Sequence, residues 1–74
     1  MTKLLYTVKE VSEIIKCNTS STYKLIKKGL LPALKLGQLK VRHVTLVNFL
    51  EKYEGKDLTD LDNIIELDIH KEVG

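Results

Sequence analysis

Between Thr7 and Gly29 the chain starts two helices and stops both, and little else fits so many boundary signals packed so closely. Thr7 followed three residues later by Glu10 is a capping box, in which a hydroxyl and a carboxylate each satisfy an orphan backbone donor. The apolar residues behind it, Val8, Val11, Ile14 and Ile15, recur at helical spacing, with Lys9, Glu10, Glu13 and Lys16 on the other side. This predicts a first helix over 8–16. Cys17-Asn18-Thr19 interrupts it, and Asn18 is a good N-cap for a second helix from Thr19 to Lys28, whose inward positions are Thr22, Leu25 and Ile26. Gly29 then ends the second helix in the left-handed conformation. Two short amphipathic helices with so tight a join have helix-turn-helix geometry.

After Gly29 the period changes from helical to alternating. Ala33-Leu34-Lys35-Leu36 and Leu39-Lys40-Val41-Arg42 flank Gly37-Gln38, which reads as a β-hairpin with a two-residue type II′ turn. That register sets Leu36 opposite Leu39, Lys35 opposite Lys40 and Leu34 opposite Val41. Two lysines side by side repel each other unless the face they share meets an anion. Leu46, Phe49, Leu50 and Tyr53 then repeat at helical spacing, predicting a third helix over 44–53 that closes the core. Val44 and Val47 widen its stripe and are expected to pack on the hairpin or on the C-terminal segment. The fold class is therefore α+β, three helices and a two-stranded wing.

With 74 residues there is room for one domain. A domain of this size buries only about 60% of the surface of its unfolded chain, which leaves little space for an enclosed catalytic cavity. Residues 1–54 also hold no nucleophile beside an Arg/His cluster and no carboxylate set placed for Mg²⁺, so an enzyme is not expected. The single Cys17 has no partner for a disulfide, and His43 and His70 stand too far away for metal-ligand spacing. Cys17 reads as a small apolar residue filling the turn, both histidines as solvated, and no metal or other cofactor is expected. No run approaches the roughly 20 apolar residues of a membrane span, and MTKLLYTVKEV has no signal-peptide core, so the expected location is the cytoplasm.

The net charge of +2 conceals a division at Gly55. Residues 1–54 hold ten Lys/Arg and four Asp/Glu, net +6, while residues 55–74 hold Lys56 and Lys71 against six acids, net −4. The first part, 1–54, is a candidate for binding polyanions; the second, 55–74, is an acidic extension. Leu58, Leu61, Ile64 and Ile65 are loosely helical in spacing, and Ile65, Leu67 and Ile69 alternate, so a short helix, an added strand and partial disorder all remain open. The apolar set is expected to dock on the third helix near Val44 and Val47 or on a partner protein; a tail laid over the basic face would compete with a bound polyanion.

Residues 5–50 resemble, without a gap, the excisionase-family DNA-binding domain, a winged helix-turn-helix related to the MerR-type domain. The landmarks are Tyr6-Thr7-Val8-Lys9-Glu10-Val11, Ser21-Thr22-Tyr23-Lys24-Leu25-Ile26, Gly29-x-Leu31-Pro32-Ala33 and Lys35-Leu36-Gly37. The chain departs from the pattern at Asn18, where Ser is usual, at Thr19, where Arg is common, and at Gln38-Leu39, where the wing often carries another Gly, Arg or Trp. Thr19 thereby removes one expected phosphate or base contact.

The resemblance implies that the second helix enters the major groove of double-stranded DNA. Ser20, Tyr23, Lys24 and Lys27 fall at i, i+3, i+4 and i+7, opposite the inward residues. Thr19, Ser20 and Lys24 are then placed for base edges, and Tyr23, Lys27 and Lys28 for phosphate. Lys35, Gln38 and Lys40 bring the wing beside the adjacent backbone or minor groove, with Arg42 and His43, at the start of the third helix, as lesser candidates. The family name implies an excisionase acting with an integrase. The alternatives are a small transcriptional regulator, or an interaction module that keeps the fold without using DNA. A monomer in solution is expected over a dimer, with several copies able to assemble on DNA.

Overall fold

A computed structural model describes residues 3–67. The elements follow one another as β1 (Leu5–Thr7), α1 (Val8–Ile15), α2 (Thr19–Lys27), β2 (Leu34–Leu36), β3 (Gln38–Arg42), α3 (His43–Lys52), β4 (Lys56–Asp57) and β5 (Ile65–Glu66). His70, the alternation continuing through Ile69, and the charges on Asp68, Lys71 and Glu72 lie outside the described residues.

The first two helices begin where their caps require. The Glu10 amide donates to Thr7 Oγ1 at 3.1 Å and the Thr7 amide donates to Glu10 Oε1 at 2.9 Å, closing the capping box. The Ser21 amide donates to Asn18 Oδ1 at 2.8 Å at the start of α2. α1 stops one residue short of the expected end, because Lys16 adopts the left-handed conformation (φ 59°, ψ 47°) and its amide bonds back to the Ser12 carbonyl. α2 also ends one residue early, and Gly29 follows at φ 79°. That turn lets the amides of Leu30 and Leu31 both reach the Leu25 carbonyl, which delivers Leu31 into the core.

The core is Val11, Leu25, Leu31, Val41, Leu46 and Phe49, with Tyr6, Ile15, Ile26, Leu30, Tyr53, Leu58 and Leu61 packed around it. Inside it runs a chain of hydroxyls that ties α1 to α2. Ser12 Oγ donates to the Val8 carbonyl at 2.8 Å and lies 2.6 Å from Thr22 Oγ1, which in turn lies 3.3 Å from Cys17 Sγ. Ser12 gives its proton to Val8, Thr22 Oγ1 can donate to Ser12 or, at 3.4 Å, to the Asn18 carbonyl, and the thiol can donate to Thr22. Thr22 is fully buried, and among the described residues no buried side-chain polar atom lacks a partner. Cys17 thus contributes a weak donor as well as bulk.

The sheet differs from expectation in strand number and in register. β1, too short to reveal a period, pairs with β3 (Tyr6 opposite Val41), so the order is β1-β3-β2 and β3 is central. On the other side Leu36 pairs with Gln38, Lys35 with Leu39 and Leu34 with Lys40, one residue away from the register read from the sequence. Gly37 alone makes the reversal, at φ 74°, a value open to glycine. The core fixes the phase of β3 through fully buried Val41, whereas the turn alone fixes the edge strand β2. A shift of one residue flips every side chain of that strand. Lys35 therefore lies on the Leu39 side and Lys40 on the opposite side; the two do not face each other, and their repulsion is avoided.

α3 starts at His43 and buries Leu46 and Phe49, but Val44 and Val47 are 45% and 38% exposed, contrary to the packing expected of them. Ile14 of the first apolar stripe is also exposed at 45%. His43 is not a free solvated ring: its Nδ1 lies 2.8 Å from the Tyr6 hydroxyl, which fastens the start of α3 to β1.

The acidic segment is held as a two-stranded ribbon, β4 against β5, with Lys56 opposite Glu66 and ion-paired to it. Between the strands Asp57 accepts from the Thr59 amide at 2.9 Å and Asp60 from the Asp62 amide at 3.0 Å, forming consecutive Asx turns. Leu58 and Leu61 pack against the core, and the groove they share is lined by Ile15, Leu25, Phe49 and Leu50. The expected docking at Val44 and Val47 is thus not what forms. Gly55 turns the chain back beside the last turn of α3, where Phe49 and Leu50 are near and the two valines are one to two turns away.

Candidate nucleic-acid interface

The exposed face of α2 is built by subtraction. Thr22 and Leu25 are pulled into the core and Ile26 is half-buried, so the residues between them are turned outward. Thr19, Ser20, Tyr23, Lys24, Lys27 and Lys28 are all exposed. α2 contains no acidic residue, and its last turn carries Lys24 and Lys27, where a cation complements the helix dipole.

The structure brings part of the wing to the same place. A groove of about 580 Å³ is lined by Thr7 and Lys9 at the start of α1, Thr19 and Tyr23 of α2, and Gln38 and Leu39 of the wing. Lys35 shares its face of the wing with Leu39, and Gln38 shares the other face with Lys40, so the groove takes in residues of both faces. Lys40 sits between Leu34 and Thr7, and Arg42 pairs with Leu5 and lines a separate hollow with Pro32, Ala33 and Thr45. Of the sequence-predicted residues, Thr19, Tyr23 and Gln38 line this groove, Lys35 and Lys40 lie on opposite faces of the wing, and Arg42 lines the separate hollow. Lys9 joins the groove without having been singled out by its sequence. The signal available was its place in the first turn of α1, next to the capping threonine.

Lys28 has a different neighbourhood. Its Nζ donates to Asp62 Oδ1 at 2.6 Å, and this hydrogen bond, followed by the charge of Asp62, raises its pKa above the usual lysine value. A second hollow, of about 300 Å³, is bounded by Lys24, Lys27 and Lys28 on one side and by Thr59, Asp60, Leu61 and Asp62 on the other. At the opposite end of the fold, Glu10 accepts hydrogen bonds from Lys3 and from the Thr7 amide, which hold its carboxyl down at about 2.

Two helices in a tight corner, the second exposed and free of acids, with a wing tip lining the same groove, are the arrangement to which a family model described as a helix-turn-helix domain matches over residues 5–54. The chain belongs to this helix-turn-helix domain family. The family contains excisionase-like DNA-binding domains, in keeping with the resemblance seen at residues 5–50. The comparisons with curated proteins and with solved structures gave no match. Membership of this family supports sequence-specific DNA binding, and DNA-binding families of this kind are typically not enzymes. Among the described residues no helix is long and apolar enough to cross a membrane.

Proposed function

We propose that this chain is an excisionase, an architectural factor that binds and bends duplex DNA so that a partner integrase can carry out excision. The observation that carries the reading is the shared groove, in which the first turn of the recognition helix and the tip of the wing meet. With α2 in the major groove, Thr19, Ser20 and Lys24 reach base edges, and Tyr23, Lys27 and Lys9 reach phosphates. Lys35, Gln38 and Lys40 follow the adjacent backbone from the wing, and Arg42 adds long-range attraction.

The wing tip gives a means of bending. Leu36 is 63% exposed and shares a face with Gln38 and Lys40, so a bare apolar side chain stands where a polar one would suit solvent. Apolar residues of this kind can wedge between base steps and kink a duplex. A module this small covers too little DNA to organise a recombination complex alone, so copies must bind side by side.

Circular-permutation gel shifts with single and tandem sites test the proposal. An excisionase gives cooperative occupancy and bent DNA, and Leu36→Ala reduces the bend. Independent occupancy of straight DNA counts against it and leaves a transcriptional regulator. For the surface itself, Lys24→Ala should cost about 1–3 kcal/mol and relax sequence preference. Lys35→Ala and Lys40→Ala should each weaken all sequences alike and lower the salt slope by about one.

A further inference from the structure

The acidic segment is placed against one particular part of the molecule, the C-terminal end of the recognition helix. Leu58 and Leu61 are sunk in the groove beside Ile15 and Leu25, which fixes the intervening turn in position. Asx turns at Asp57 and Asp60 stiffen that turn from within. Pinned in this way, Asp62 reaches Lys28 at 2.6 Å, and Asp60 borders the same hollow as Lys24, Lys27 and Lys28. An ion pair between two free surface chains is weak because both ends must be ordered to form it. Here the leucines have already ordered the acidic end.

We propose that the Asp60–Asp62 turn is a built-in competitor for DNA phosphate at the C-terminal end of the recognition helix. This rests on the reading of α2 as the helix presented to DNA. A phosphate approaching Lys28 meets a lysine already neutralised, and one approaching Lys27 or Lys24 meets two carboxylates across the hollow. Binding must displace the acids or forgo these contacts. The lone domain is thereby held to weaker, less salt-sensitive binding than its net +6 over residues 1–54 would give. Anything that captures the acidic turn, such as a basic surface on a protein bound at the neighbouring site, releases the lysines and tightens the grip on DNA.

The test uses the full chain with Asp60→Asn and Asp62→Asn together. Asparagine keeps the side-chain oxygen that accepts in the Asx turn, so the ribbon stays in place and only the charge is removed. Titrating parent and variant with a short duplex over a range of salt, the variant should bind about three- to tenfold more tightly at low salt, with a slope steeper by about one. Lys28→Ala should be nearly silent in the parent and should lose affinity in the asparagine background, because only there is Lys28 free to meet phosphate. If the variant binds DNA with the parent's affinity and slope, the competitor is overturned while the DNA reading stands. If neither protein binds any duplex even at low salt, the DNA reading falls and the competitor with it.

Discussion

The helix-turn-helix corner and the acidic ribbon are both short, and both press leucines into the same core, yet they are held in different ways. Each helix start in the corner has its own side-chain device, Thr7 and Glu10 for α1 and Asn18 for α2, and a buried hydroxyl chain fixes one helix on the other. The ribbon has two-residue strands, an exposed Ile65, and apolar anchors that are only half-buried. The corner is specified mostly by itself, whereas the ribbon depends on what it lands on. One region is thereby suited to presenting a fixed surface to DNA, and the other to letting go.

The sharpest way to break this contrast is to remove a leucine from each side. Leu31→Ala, at a fully buried position, should cost about 2–5 kcal/mol, enough to unfold much of so small a domain. Leu61→Ala, half-buried in the ribbon, should cost nearer 1 kcal/mol and leave the corner intact. Urea unfolding followed by circular dichroism compares the two, and equal losses would mean that ribbon and corner form one cooperative unit. A second measurement sharpens the claim of local specification. Asn18→Ala removes the α2 cap and should cost about 1 kcal/mol, with Asn18→Asp close to the parent.

The smallest expected effect lies at the other cap. The carboxyl of Glu10 titrates at about 2 in the folded chain, because Lys3 and the Thr7 amide hydrogen-bond its ionised form, against 4.5 ordinarily. The group is exposed, so its contribution is slight, but the sign is fixed: stability from it is present above about pH 4.5 and is lost as pH falls toward 2. Glu10→Gln should flatten that part of the melting-temperature profile, and an unchanged profile would show that Lys3 does not hold the carboxylate in solution.

The helices were legible because their signals are local. Caps, αL glycine and apolar spacing act within a few residues, and the predicted bounds differ from the observed ones by a single residue at each end where they differ. The same locality explains why the exposed face of α2 could be read: once Thr22, Leu25 and Ile26 point inward, the rest follows from the helical period. The basic and acidic halves were equally plain in the order of the residues.

Tertiary structure decided what no local pattern encodes. Three residues of β1 carry no readable period, yet their pairing makes β3 central and lets Val41 set its phase. With that phase fixed, a one-residue reversal at Gly37 sends Lys35 and Lys40 to opposite sides and leaves Leu36 bare at the tip. The path of the acidic segment was open for the same reason, since Leu58 and Leu61 could serve any apolar surface. Hydrophobic attraction is non-directional, so sequence could say that these leucines would be buried; only the groove beside Phe49 and Leu50, within reach of the turn at Gly55, decided where, and with it which lysine Asp62 would meet.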